Sequence, residues 1–113
     1  MVIDFTKQAS VTFPLQVGDA AAYTVGRVRF QIKGAGTYSL VPQILIKGTG
    51  TTLSSADAQN TYYTNVLTNA SVAAGTAITA AGIYEVDATG MLVYVSGSYT
   101  SGACILATQN LIG

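Results

Sequence analysis

Between Ala77 and Asn110 the chain reads AITAAGIYEVDATGMLVYVSGSYTSGACILATQN, and this stretch limits the possible folds more than any other. It holds three apolar runs, Ile83–Asp87, Met91–Ser96 and Ala103–Thr108, punctuated by Gly82, Gly90, Gly97 and Gly102. Runs this short, rich in β-branched and aromatic residues and bounded by Gly, Ser and Thr, predict antiparallel strands joined by tight turns. The expected arrangement is a β-meander. In its second run Met91, Val93 and Val95 fall on one face, and Leu92, Tyr94 and Ser96 on the other. Tyr84, Val86, Val93, Val95 and Leu106 are the residues it should send into a core.

The preceding residues follow the same period. Val2, Asp4 and Thr6 alternate with Ile3, Phe5 and Lys7, and Val11, Phe13 and Leu15 with Thr12, Pro14 and Gln16. Pro14 has no N–H to give to a ladder, which places its run at a sheet edge or leaves it one unpaired side. Two readings of residues 1–15 stand side by side. They are ordinary strands of the domain, or an assembly arm that pairs with a neighbouring subunit, since a free strand edge is a template for augmentation. Arg27–Lys33 (RVRFQIK) has the cleanest alternation, with Val28, Phe30 and Ile32 against Arg27, Arg29, Gln31 and Lys33. One face should be buried and the other wet, or turned to an acidic partner.

Gly34-Ala35-Gly36 turns the chain into Thr37–Lys47, where Pro42 calls for a bulge or an edge position. Gly48–Gly75 is the least strand-like segment. Ser54 and Asp57 have the spacing of a capping pair and suggest one helical turn, and Asn60–Thr68 reads as a strand with Tyr62 and Tyr63 on opposite faces. About eight short strands, with turn signals about every 8–12 residues and no amphipathic helix, make the chain all-β: an antiparallel β-sandwich or jelly roll, with a small barrel as the remaining form. At 113 residues it is one domain, 1–113.

Charge then narrows the function. Five basic and five acidic residues make 9% of the chain, against about 25% in an ordinary globular domain. Disorder does not explain this, because disordered chains combine low hydrophobicity with high net charge. A neutral surface rich in Thr, Ser and Gly suits a β protein packed in an assembly; a charge-poor monomeric sandwich is the plainer reading. Net charge zero argues against nucleic-acid binding, which needs a phosphate-neutralising patch. No run approaches the ~20 apolar residues of a membrane helix, and MVIDFTKQASVTF lacks the apolar segment of a secretory signal. The single cysteine, Cys104, lies in an apolar run and is expected to be a small buried hydrophobe.

The chain contains no histidine, which removes Ser-His-Asp and Cys-His catalysis and His-containing metal sites. Glu85 and Asp87, two apart on one strand, project from the same face in the manner of a paired-carboxylate site; they equally solvate an outer strand face. Asp87 with loop carbonyls could hold calcium, but no motif supports it. Gly34-Ala35-Gly36 does not extend to GxGxxG, because position 39 is Ser, and no P-loop occurs. Asn69-Ala70-Ser71 fits the glycosylation pattern but lacks the secretory context. No catalytic residue, cofactor or metal is expected, and the chain is read as a non-enzyme.

One resemblance adds to this. Ile78-Thr79, Ala81-Gly82, Tyr84, Val86-Asp87 and Gly90, then the apolar strand Leu92–Val95, then Ser98-Tyr99-Thr100-Ser101-Gly102, form a pattern. It resembles one in tailed-bacteriophage virion proteins, and it covers about the last third of the chain. Such modules often carry an Arg-rich alternation where Met91–Val95 here has no Arg. The resemblance implies a β-sandwich on a virus particle, made in the host bacterial cytoplasm. Its foremost form is a capsid decoration (cement) subunit, a homo-oligomer such as a trimer, bound to the major capsid protein or another virion protein. Partner contacts would then come from Ile3, Phe5, Val11 and Phe13. The alternative is a head-fibre or tail-associated module binding host-surface glycan, with Tyr62, Tyr63, Asn65 and Tyr99 supplying aromatic faces and amides.

Overall fold

The computed structural model describes residues 2–7, 11–17, 27–46, 59–88 and 91–111. These residues form strands β1 (Val2–Asp4), β2 (Leu15–Val17), β3 (Arg27–Lys33), β4 (Thr37–Ile46), β5 (Gln59–Asn60), β6 (Tyr63–Asn65), β7 (Ala70–Val72), β8 (Gly82–Asp87), β9 (Met91–Ser101) and β10 (Ile105–Leu111). Two antiparallel sheets result, with strand orders β1-β10-β3-β8-β6-β7 and β2-β9-β4-β5. With β6 and β7 set aside, these are the two four-stranded sheets of a jelly roll. The β6–β7 hairpin is an addition to one edge.

A single folded ribbon organises the molecule. In the larger sheet β3 runs against β10 from Arg27↔Leu111 to Lys33↔Ile105. In the smaller one β4 continues against β9 from Thr37↔Ser101 to Ile46↔Met91. The two strands therefore stay paired while the chain turns from one sheet to the other. The corner needs backbones in close contact: the Gly36 N–H donates to the Ala103 carbonyl at 2.9 Å. A Cβ on Gly36 would lie 2.6 Å from the carbonyl oxygens of both Ala103 and Ser101, too close for any side chain.

Burial follows the predicted alternation. Val28, Phe30 and Ile32 of β3 meet Tyr84 and Val86 of β8, Leu106 of β10, and Leu40, Val93 and Val95 from the facing sheet. Leu45, Leu92 and Tyr94 form a second buried cluster, so β9 is covered on both faces along its first half. Pro42 is tolerated inside β4 for a geometric reason. Leu40 exchanges both backbone hydrogen bonds with Ile78, on the flank of β4 turned away from β9. Pro42, two residues on, points the same way, so its missing N–H leaves the β4–β9 ladder intact.

Four local expectations are corrected. Ala77–Asn110 supplies β8, β9 and β10 but no meander: β8 and β10 both flank β3, and β9 lies in the other sheet. Local sequence specifies a turn but not the sheet the next strand joins. Gly97 is no turn; β9 runs through it to Ser101. Asn60–Thr68 is not one strand, because the chain leaves the smaller sheet at Asn60 and enters the larger at Tyr63. Within Val11–Val17 only Leu15–Val17 forms a strand, at a sheet edge as Pro14 suggested. The helical turn expected at Ser54–Asp57 lies outside the described residues.

Candidate functional site

The residues expected to touch a partner separate into three environments. Ile3 and Phe5 are buried in the protein's own core, 9% and 3% exposed, beneath β1. The Phe5 ring stacks on Phe13 at 6.1 Å and on Tyr99 at 5.2 Å between centroids. Tyr99 also donates its hydroxyl to the Gly102 carbonyl at 2.6 Å, and Val11 and Phe13 pack half-buried against the core. These side chains therefore fasten the N-terminal segment to the jelly roll. Backbone pairing agrees: β1 runs along the chain's own β10, with Ile3 opposite Leu106.

Tyr63 is a core residue too. Its ring meets Tyr84 edge-on at 5.5 Å, and its hydroxyl donates to the Thr76 carbonyl at 3.1 Å. Its neighbour Tyr62 is 69% exposed. Asn65 has a local task, its Oδ1 accepting the Leu67 N–H at 3.0 Å across the β6–β7 turn. The four residues considered for glycan differ in setting: Tyr63 is inside, Tyr99 stacks on Phe5, and Tyr62 is exposed.

The outer face of the larger sheet is the broadest surface the strands present. The cross-strand row Val2–Ala107–Gln31–Ile83 carries no charge over β1, β10, β3 and β8. On one side lies the row Asp4–Ile105–Lys33, and on the other Gln109–Arg29–Glu85. Arg29 donates through Nε at 2.9 Å and Nη2 at 2.5 Å to Glu85 Oε1, while Arg27 Nη1 reaches Oε2 at 3.1 Å. Both oxygens of Glu85 are thus engaged, and the basic stripe of β3 is in part neutralised within the molecule. Glu85 is the hub of two ion pairs. A shallow open groove of about 260 Å³ lies here, lined by Arg29, Gln31, Ile83, Ala107, Thr108 and Gln109.

At the opposite edge, the β6–β7 hairpin carries a different surface. Val66 and Leu67, 36% and 67% exposed, sit at its tip. With Val2 and Tyr62 they are the exposed large hydrophobics among the described residues. Sequence patterning did not select Val2, Val66 or Leu67, since an isolated apolar residue in a turn gives no periodic signal. A signal did exist: from Ala58 to Tyr84 the chain contains no charged residue.

Burial raises the Cys104 thiol above its usual range, with the negative charge of Asp4 adding to the shift, and the side chain is fully buried. Burial likewise raises Tyr38, Tyr63 and Tyr84. The hydroxyl of Thr6, at 2.6 Å, is the main cause of the lowered Asp4 carboxyl. A neutral, enclosed thiol is a poor nucleophile. Cys104 should therefore react with a chromogenic disulfide reagent roughly 10³-fold or more slowly in the native protein than in the denatured chain, as the small unfolded fraction dictates. Equal rates in the two states would show that the residue is not enclosed.

No family model, curated protein or solved structure matches this chain.

Proposed function

We propose that this protein is a non-enzymatic structural component of a tailed-bacteriophage particle, a decoration subunit that binds the major capsid protein from outside the shell. The observation that carries this reading is the β1 edge of the larger sheet. β1 has β10 on one side and, among the described residues, ends the sheet on the other, and its Val2 is 69% exposed at the head of an uncharged cross-strand row. Such an edge accepts a further strand through its backbone, while the uncharged row receives apolar side chains.

The resemblance in the last third supports the same reading in a divided way. Its residues build the scaffold: Tyr84 and Val86 lie in the core, and Ser101-Gly102 forms part of the ribbon corner. Binding is then left to the first two-thirds of the chain. This division suits a protein with a rigid body and little charge, whose partner is another large surface.

Mass spectrometry of purified virions from the phage carrying this reading frame tests the proposal. The expected copy number is comparable to that of the major capsid protein. Absence from the particle, or the handful of copies typical of a tail or fibre component, would overturn it.

A further inference from the structure

The β6–β7 hairpin lies outside the eight strands of the jelly roll and, among the described residues, makes the second edge of the larger sheet. Natural edge strands are commonly protected by shortness, Lys, Pro or an inward-pointing charge. Ala70-Ser71-Val72 is short, at three residues, but it carries no Pro or charge and lies inside the charge-free run from Ala58 to Tyr84. Ala70 and Ser71 are exposed. The adjoining tip is held in place before any contact is made: the Val66 N–H donates to the Ile83 carbonyl at 2.8 Å, and the Leu67 N–H to Asn65 Oδ1. A fixed apolar tip loses little conformational freedom on association.

We propose that this edge pairs with a second copy of the same chain, β7 against β7 about a two-fold axis, joining two six-stranded sheets into one. Two features favour a second copy over an unrelated partner. An antiparallel strand pair is itself two-fold symmetric, so any edge strand is geometrically able to pair with its own copy. A strand from a charge-free run also brings no like charges of its own together when it meets itself, which is the usual obstacle to self-pairing. Centred on Ser71, the pairing sets Ala70 of each copy opposite Val72 of the other, with the exposed Leu67 tip adjoining the paired edge. The pairing uses the edge opposite β1, so it leaves the surface assigned above to the capsid uncovered. It rests on observations separate from that assignment.

Sedimentation velocity of the full chain over concentrations up to about 1 mM, beyond which association has no specific meaning, tests the proposal. The expected result is a monomer–dimer equilibrium that does not weaken between low salt and about 1 M NaCl, because no charge pairs hold it. Leu67→Asp, at an exposed tip where folding is little affected, should weaken dimerisation at least tenfold with thermal stability retained. Val2→Asp, on the opposite edge, should leave the dimer unchanged. A chain monomeric at every concentration overturns the proposal. So does a dimer indifferent to Leu67→Asp, one lost with Val2→Asp, or one dissolved by salt. A monomeric chain that still appears on virions at high copy would remove this inference and leave the decoration reading intact.

Discussion

Gly97→Ala is expected to lower the unfolding free energy by about 3–5 kcal/mol, the sum of a Gly-only backbone conformation and an overpacked contact. Gly97 sits within β9 at φ 121°, opposite Leu40 of β4. A Cβ built there falls inside contact distance of the Ser39 carbonyl oxygen, which is backbone of the neighbouring strand and has no freedom to move aside. Relief requires the longest ladder in the protein to shift. Against a total stability of about 5–15 kcal/mol for a domain of this size, the loss is large. Thermal unfolding should show a fall in Tm of about 12–40 °C, using about 4–8 °C per kcal/mol. A variant within a few degrees of the wild type would mean that the ladder at Ser39–Gly97 relaxes freely.

Replacing the two adjacent tyrosines should have opposite consequences. Tyr63→Ala removes a ring that is 4% exposed, its edge-on contact with Tyr84 and its hydroxyl bond to the Thr76 carbonyl. The expected loss is about 3–5 kcal/mol, the range for large aromatic truncations in a core. Tyr62→Ala, at a side chain 69% exposed, should change stability by no more than about 0.5 kcal/mol. Urea unfolding of both variants, compared by midpoint at equal m-value, gives the contrast directly. Equal effects would contradict the assignment of the two faces.

The tyrosine pair also shows how far sequence carries. Adjacent residues on a strand point to opposite faces, so one of the two had to be inside; patterning alone does not say which. The chain resolves it by crossing from β5 in one sheet to β6 in the other between Asn60 and Tyr63, an event with no local signal. Val28, Phe30 and Ile32 were different, because a seven-residue alternation fixes its buried face outright. The candidate contact residues fared as their environments required. Ile3 and Phe5 alternate cleanly, and that very alternation marks them as core; the exposed partner of the pattern is Val2. Leu67 stands in a turn, where no period applies, and its exposure belongs to the turn that Asn65 holds.

The sequence by itself determined that this protein is built of short antiparallel strands, which faces of β3 and β8 are buried, and that Cys104 lies in an apolar setting. These are properties of the two-residue period and of side-chain polarity, which act locally. Only the tertiary structure decided that Ala77–Asn110 divides between two sheets, that Gly97 continues a strand, and that β4 and β9 extend the ribbon begun by β3 and β10. Each of these depends on pairing between residues far apart in the chain. Backbone hydrogen bonds are the same for every residue type, so the choice of neighbour rests on how all the buried faces fit together at once.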